Sequence, residues 1–162
     1  MSLASSPDGK TLYFAAGGKI WSVLSAGGEP SMMRAGDSVV ADPAGGSLLI
    51  SSVENARNRL FRVPLGGGAE REITADSPAA LLPNGLFPGS LGADGRLLVS
   101  LYLLDSWFFA PAILDTNTGH VTRIPIDQVS NTSSLSWTRD GRILELRERF
   151  RSTLWRFQPA RK

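Results

Sequence analysis

Short apolar segments separated by glycine-containing turns run along the whole chain, and within many of them large apolar residues alternate with small or charged ones. A period of two places successive side chains on opposite faces of a β-strand. Glycine and proline, with 17 and 10 residues, recur between these segments, as they do in proteins built from many short strands and tight turns. The pattern therefore predicts an all-β chain without long helices.

A four-part unit repeats along the chain. In each copy a tight turn, usually Asp-Gly, leads at once into an apolar strand, and the turn glycines are Gly9, Gly45, Gly95 and Gly141. A weakly apolar strand precedes each turn, a second apolar or aromatic strand follows, and a polar strand closes the first three copies. The glycine spacings of 36, 50 and 46 residues are close to the roughly 40–50 residues of a propeller blade. The repeats predict a β-propeller with about four blades of four antiparallel strands.

The predicted blades fill a single β-propeller region, 1–162. We expect them at about 2–35, 37–75, 86–126 and 132–159, with innermost strands at 2–5, 38–41, 86–91 and 133–137. The tryptophans at repeat positions are predicted to be core residues: Trp21, Trp137 and Trp155. The fourth blade has sequence for three strands only, the third at 154–157, so it lacks its outer strand. We therefore expect further blades, a second copy or another partner to complete the ring.

Composition narrows the classes of function. A chain of 162 residues with 42% hydrophobic and 20% charged residues is typical of one folded domain. Its 17 basic and 15 acidic side chains leave a net charge of only +2, which is too small an excess to indicate nucleic-acid binding. The absence of cysteine excludes disulfides, cysteine-ligated zinc and thiol catalysis.

Neither a signal peptide nor a membrane helix is predicted. The N-terminal sequence lacks a basic stretch followed by an apolar one. The longest apolar run, 97–114, is interrupted by polar residues and a proline, which a membrane helix tolerates poorly. As given, the sequence predicts a cytoplasmic protein without membrane contact, and a periplasmic location stays open if the chain is part of a longer protein.

The repeat resembles a known one. Ser6-Pro7-Asp8-Gly9 before an apolar strand, Ile20-Trp21 within the next strand and Ala26-Gly27-Gly28-Glu29-Pro30 after it are similar to the repeat of TolB-type, WD-like β-propellers. The second copy has Ala44 in place of the aspartate, and the third has Ile113 in place of the tryptophan. Such repeats resemble the propellers of the Tol system, of prolyl oligopeptidase-type peptidases, and of the C-terminal sensor halves of bacterial Ser/Thr kinases and winged-helix regulators.

Candidate catalytic and ligand-binding motifs are weak throughout. The single histidine, His120, is predicted to be an exposed hairpin residue, and the chain has no Gly-x-Ser-x-Gly nucleophile motif. Gly9-Lys10-Thr11 matches the end of a phosphate-binding loop, but a strand follows where a helix is needed. Asp115-x-Asn117-x-Gly119 matches the start of a calcium loop, but Ile126 stands where the loop needs a glutamate. We therefore predict no catalytic residue, no cofactor and no metal site.

Two surface segments are candidates for partner binding, and their residues are Arg147, Arg149, Phe150, Arg151, Trp107 and Phe108. In the basic segment, arginine forks beside an aromatic ring could grip an anionic or acidic partner. The alternative is a solvated loop whose arginines pair with neighbouring glutamates. The aromatic segment could form a contact patch, since tryptophan and aromatic residues dominate interface hot spots. The alternative there is packing between neighbouring blades.

Three functions remain open at this point. The first is a non-catalytic propeller that acts as a binding, sensor or scaffold module for a protein or peptide partner. The second is the accessory propeller of a multidomain Ser/Thr kinase or peptidase whose catalytic domain lies outside this chain. A weaker third is a lactonase-like enzyme that uses the central channel of the propeller. Because a propeller fold supports all three, the choice depends on the site rather than on the fold.

Overall fold

Every regular element in the described part of the chain is a β-strand. The computed structural model describes residues 2–55, 57–81, 86–126, 130–149, 151, 153 and 155. In chain order the strands are β1 (Leu3–Ser5), β2 (Thr11–Ala16), β3 (Lys19–Leu24), β4 (Ser31–Ala35), β5 (Ser38–Ala41), β6 (Ser47–Glu54), β7 (Arg57–Pro64), β8 (Arg71–Ile73), β9 (Ala80–Leu81), β10 (Arg96–Tyr102), β11 (Ala110–Asp115), β12 (Val121–Arg123), β13 (Asn131–Trp137) and β14 (Ile143–Glu148). Among these residues there is no helix with the length and apolar composition that crossing a lipid bilayer demands.

The strands form four antiparallel sheets. The first sheet holds β1 to β4, the second β5 to β8 and the third β9 to β12, each in chain order from one edge to the other. The fourth sheet holds β13 and β14 among the described residues, and most of its predicted third strand, 154–157, lies outside them. Consecutive antiparallel meanders whose neighbours pack face to face are propeller blades. The predicted all-β propeller is therefore confirmed.

The repeated turn has the same backbone in all four sheets. Its glycine amide donates a hydrogen bond to the carbonyl three residues earlier, at 2.8 to 3.1 Å, in the turns that contain Gly9, Gly45, Gly95 and Gly141. The φ angles of these glycines lie between 70° and 82°. A residue with a Cβ is strained at such angles, so glycine is required at this position. The turn reverses the chain between the innermost and the second strand of each sheet.

Apolar side chains fill the spaces between neighbouring sheets. Between the first and second sheets the buried cluster contains Tyr13, Ala15, Ile20, Val39, Leu48 and Ile50. Between the second and third sheets a larger cluster is built mainly from leucines and valines of both. Residue 36, where the chain passes from the first sheet to the second, must be glycine. A Cβ at this position would lie 2.6 Å from Cγ2 of Ile50 and 2.9 Å from Cγ1 of Ile20.

Serine hydroxyls join each of the first two sheets to the next. Ser2 Oγ accepts a hydrogen bond from the Val39 amide at 2.9 Å, and Ser38 Oγ accepts one from the Leu86 amide at 2.8 Å. Both serines are buried. Because a buried amide without an acceptor is costly, each hydroxyl stabilises the junction that it spans. The same contact thus fixes the second sheet against the first and the third against the second.

The third sheet departs from the prediction at its innermost strand. The strand expected at 86–91 is replaced by the short β9, Ala80–Leu81, and by an isolated bridge between Leu91 and Leu97. Leu81 lies opposite Leu101 of β10. Leu81 therefore pairs with Leu101 and Leu91 with Leu97, so that residues 81–91 of the inner segment lie opposite only residues 97–101 of β10. Of the residues in between, 86–90 are described, and they belong to no strand.

A tight turn explains this interruption. The Ser90 amide donates to the Phe87 carbonyl at 3.0 Å, and Gly89 has a φ of 75°. With Pro88 at the second position and glycine at the third, this is the arrangement of a type II turn. Proline also lacks the amide hydrogen that a strand ladder needs. The Pro-Gly pair is thus the sequence signal that overrides the apolar character of 86–91.

The tryptophans at repeat positions are less buried than predicted. Trp21 and Trp137 are half-buried, and their indole N–H groups donate to Ala16 O at 3.2 Å and to Arg96 O at 3.1 Å. A buried or half-buried indole needs such an acceptor, and both rings find one in a backbone carbonyl. Trp155 is exposed. The prediction of a core residue is wrong for Trp155, because an alternating pattern does not tell which face a neighbouring sheet covers.

Candidate functional site

The two ends of the propeller carry different connections. Because successive strands run in opposite directions, the repeated glycine turns all lie at one end, which we call the turn face. The connections between second and third strands lie at the other end, together with the links from one sheet to the next. We call this end the loop face, and its longer segments include 74–79 and 103–109. Long connections held by rigid strands often carry binding residues, so the loop face is where a site is expected.

A groove crosses the loop face between the second and third sheets. It consists of two adjoining clefts of about 610 Å³ and 270 Å³, and both are lined by residues 78–80. The larger cleft is also lined by 57–59 and 72–75, and the smaller by 102–105. We call the two clefts together the loop-face groove. Each cleft is of the size, or slightly below the size, at which small ligands and peptide side chains are bound.

The aromatic segment predicted from the sequence lies on the loop 103–109, whose residues 103–105 line the smaller cleft. Trp107 and Leu104 are each 95% exposed, and Tyr102 is exposed as well. Phe108 is half-buried. The interpretation that Trp107 packs between neighbouring blades is therefore wrong, because the tryptophan is exposed to solvent, two residues after Asp105 of the smaller cleft.

The loop that carries Trp107 is held at several points. Its ends are fixed because Leu101 of β10 and Ala110 of β11 are register partners. Within the loop, the Ser106 amide donates to Leu103 O at 3.3 Å, and Ser106 Oγ accepts from the Phe108 amide at 3.0 Å. Leu103 is buried and anchors the loop on the core. The exposed Trp107 ring thus stands on a folded loop with defined hydrogen bonds.

The basic segment lies close to the aromatic loop. The Phe109 amide donates to Asn131 Oδ1 at 3.1 Å, and Asn131 is the register partner of Glu148 at the end of β14. Arg147 Nε donates to Glu145 at 2.8 Å, which agrees with the alternative of pairing with a neighbouring glutamate. Arg149 and Arg151 are exposed, whereas Phe150 lies outside the described residues. Both candidate segments therefore lie on the loop face.

The larger cleft of the groove has a charged wall that the sequence pattern did not indicate. Arg59 binds Glu72 through two hydrogen bonds, at 2.9 and 2.5 Å, and Glu54 through a third at 2.6 Å. Its guanidinium also lies 4.9 Å from the centre of the Phe61 ring. Hydrogen bonding to Arg59 lowers the pKa of Glu72 below its ordinary value. The charged residues of β7 and β8 were the available signal, but only the folded structure shows which of them meet.

Groups that could perform chemistry are scattered. His120 is exposed, and the described residues contain no group of three or more histidine, aspartate or glutamate side chains that could hold a metal ion. The Asp115 carboxylate accepts hydrogen bonds from the Asn117 and Thr118 amides, at 2.8 and 3.2 Å, and these bonds lower its pKa. The segment that matches a calcium loop is therefore folded as an Asx turn.

No protein-family model matches the chain, and no curated protein matches its sequence. Solved structures match its fold. TolB from Agrobacterium tumefaciens does so with a TM-score of 0.67 and 21% identity, over 89% of this chain and 52% of its own. A chain of the nidogen/laminin complex matches with a TM-score of 0.60 and 15% identity, over 85% of this chain and 51% of its own. Prolyl oligopeptidase B from Galerina marginata matches with a TM-score of 0.59 and 10% identity, over 92% of this chain and 24% of its own.

The three matched structures share one architecture with this chain. The chain spans about half the length of the first two structures and about a quarter of the third. At identities of 10 to 21% the likeness shows the fold alone, and function has to be argued from the site. The antiparallel sheets, the repeated glycine turn and the match to TolB together establish that this chain has a β-propeller fold of the TolB type.

Proposed function

We propose that the protein is a non-catalytic binding or sensor module that holds a protein or peptide partner in the loop-face groove. Trp107 and Leu104 are the apolar anchors for this partner. The observation that carries the proposal is the 95% exposure of both side chains on the loop whose residues 103–105 line the smaller cleft. Burying a leucine side chain releases about 1.5–3 kcal/mol, so covering the pair supplies much of the free energy of a moderate complex.

The lining of the groove favours a polypeptide over other ligands. Arg57, Arg59 and Glu72 place both signs of charge along the larger cleft, and small apolar residues form the shared wall at 78–80. A nucleic acid would need a continuous basic surface, which a net charge of +2 does not provide. A peptide offers what this groove can use: an apolar side chain for the rim and polar groups for the charged wall.

The groove is also largely preformed. Arg59 is fixed by two glutamates and by the Phe61 ring, and the loop of Trp107 is held at its ends. A binding site that is already ordered avoids most of the entropy cost of ordering its own side chains. The match to a chain of the nidogen/laminin complex, a complex between two proteins, supports the proposal of a protein partner.

Selection from a phage-displayed random peptide library tests this function. Peptides selected on the immobilised chain would be synthesised, and their affinities measured by fluorescence polarisation for the wild type and for Trp107→Ala. Loss of a hot-spot tryptophan commonly costs 2 kcal/mol or more. We therefore expect the affinity to fall at least about tenfold.

Leu24→Ala is the matched control. Leu24 is an exposed apolar residue at the end of β3, on the turn face. This variant should bind the selected peptides within about twofold of the wild type, because rim positions outside a site contribute little. Failure to select any peptide, or equal binding by Trp107→Ala and the wild type, would contradict the proposal, provided that circular dichroism shows both variants folded.

A second candidate function is favoured by one comparison. The match to prolyl oligopeptidase B covers 92% of this chain and only 24% of that enzyme. Under this alternative the propeller is the accessory part of a multidomain enzyme, and the groove contacts the catalytic domain of the same polypeptide. Reading the coding DNA on both sides of these 162 codons distinguishes the two, because an in-frame catalytic domain is required by the second function only.

A further inference from the structure

The first sheet carries a second apolar face, which points away from the second sheet. Strand register places Leu3 opposite Phe14, Phe14 opposite Trp21 and Trp21 opposite Met32, so these four side chains form one row across the sheet. Leu12 and Val23 are paired on the same face in the adjacent row. Side chains that are directly opposite share a face of a sheet. We call this surface the outer face of the first sheet.

The other face of the same sheet is already covered. Tyr13, Ala15 and Ile20 alternate with the residues of the row and are buried against the second sheet. A sheet with one face in water normally alternates apolar and polar residues, whereas a sheet enclosed on both faces is apolar on both. The first sheet therefore has the composition of a sheet that lies between two others.

The outer face is nevertheless open among the described residues. Leu3 is 52% and Met32 54% exposed, and Phe14 and Trp21 are half-buried. The Trp21 indole already donates its N–H to Ala16 O at 3.2 Å, so its polar atom is satisfied without a partner. What remains for contact is an apolar surface made of two aromatic rings flanked by leucine and methionine. A contiguous exposed patch of this kind marks an interaction site.

The fourth sheet also has an exposed face with apolar residues. Leu144 and Leu146 are 63% and 61% exposed, and their register partners are Ser136 and Ser134. The buried Leu135 alternates with these serines and belongs to the opposite face of the sheet, which contacts the third sheet. The outward surface thus combines protruding leucines with small serines. Aromatic rings fit beside small residues when two layers interdigitate.

We propose that the outer face of the first sheet binds the outward face of the fourth sheet of a second copy of this chain. Within one chain, each sheet presents one face to the sheet before it and the other face to the sheet after it. The outer face of the first sheet is the kind of face that contacts a preceding sheet. The outward face of the fourth sheet is the kind of face that contacts a following sheet. Two copies then make two equivalent contacts related by a twofold axis, and the assembly closes.

This pairing is independent of the loop-face groove. The outer face of the first sheet and the groove share no residue, since the groove lies between the second and third sheets. A loss of peptide binding leaves the pairing intact, and a loss of pairing leaves the groove formed. The two proposals can therefore fail separately.

Size-exclusion chromatography with light scattering, run over a range of protein concentrations, tests the pairing. The wild type should have twice the chain mass of 17.4 kDa. Leu144→Asp should raise the dissociation constant of the pair at least about tenfold, because it places a carboxylate in an apolar contact. Leu146→Asp provides the same test if Leu144→Asp fails to fold. Leu24→Asp is the control, since Leu24 is similarly exposed at 61% but lies on the other face of the first sheet.

A mixing experiment tests which faces meet. Leu3→Lys and Leu144→Asp should each be monomeric alone. Mixed together they should form a pair, because one contact then joins two wild-type faces and the other joins a lysine to an aspartate. A monomeric wild type would overturn the proposal. A dimer whose dissociation constant is unchanged by Leu144→Asp would also overturn it. Such a dimer would use the first sheets of both copies, or surfaces outside the first and fourth sheets.

Discussion

In each repeated turn an aspartate is present, but its position in the turn varies. In the first, third and fourth sheets an aspartate comes just before the turn glycine, as Asp8, Asp94 and Asp140 do. The second sheet has Ala44 there, and Asp42 takes over from the first position of the turn, accepting a hydrogen bond from the Ala44 amide at 2.9 Å. The carboxylate is thus kept although the motif is degraded, because a turn amide still needs an acceptor.

Asp8 should make stability depend on pH. Its pKa is lowered, first by the hydrogen bond from Ser6 Oγ and then by the Lys10 amide. A carboxyl whose folded pKa lies below its unfolded value stabilises the fold at neutral pH, and this contribution is lost as pH falls through the folded pKa. Urea unfolding at about pH 7 should therefore show Asp8→Asn to be less stable than the wild type, and the difference should narrow at about pH 2.5.

The control for this prediction is Asp105→Asn, which removes an exposed carboxylate from the loop before Trp107. It should leave the pH dependence of the wild type in place. A difference between Asp8→Asn and the wild type that stays constant from neutral to acid pH would show that the charge of Asp8 does not stabilise the turn.

At the scale of whole elements, a network of hydrogen bonds around Arg62, Arg71 and Thr116 joins the second and third sheets on the turn face, and we call this network the polar latch. Arg62 of β7 donates to Asp42 at 2.8 Å and to Thr116 Oγ1 at 2.6 Å, and Thr116 Oγ1 donates in turn to Gly95 O at 2.7 Å. Arg71 of β8 donates to the Thr116 carbonyl at 2.7 Å. Thr116 is fully buried. Its hydroxyl therefore links a strand of one sheet to two turns of the next.

Thr116→Val should destabilise the protein by about 1–3 kcal/mol, because it keeps the shape of the side chain and leaves buried hydrogen-bonding groups without a partner. Equilibrium unfolding in urea measures this loss. Thr118→Val, an exposed change in the same turn, should cost less than about 0.5 kcal/mol. Equal losses for the two variants would mean that the latch contributes nothing beyond the local turn.

Most elements could be predicted because turn and strand signals coincide. An Asp-Gly turn followed by an alternating apolar run locates β2, β10 and β14 within a few residues. The innermost strand of the third sheet could not be located in this way. The apolar residues of 86–91 suit a strand, but the Pro88-Gly89 turn within them removes the segment from the ladder. Periodicity describes a single strand, and pairing is decided by its neighbours.

The candidate site was predictable in part for a similar reason. Trp107 and Phe108 were recognisable as an aromatic segment outside the repeat, but a loop has no period from which exposure can be derived. The structure separates them, with Trp107 exposed and Phe108 half-buried. The bond between Arg59 and Glu72 depends on the register of β7 and β8, which the sequence does not specify.

At the scale of the molecule, the turn face, the loop face and the outer sheet faces differ in structure. The glycine turns and the latch stiffen the turn face, and the longer connections give the loop face its groove. The exposed apolar faces of the first and fourth sheets are the surfaces that we propose for pairing. A propeller can combine these tasks because each connection and each sheet face varies without disturbing the strand order.

Hydrogen–deuterium exchange, with and without a peptide selected on the wild-type chain, tests the central claim that a polypeptide binds across the loop face. The account predicts slower exchange in the bound state at 77–81 and 102–109, the segments that line the groove and carry its aromatic rim. Exchange at the glycine turns 6–9 and 138–141, on the turn face, should not change. Protection at those turns instead of the loop-face segments would contradict the account.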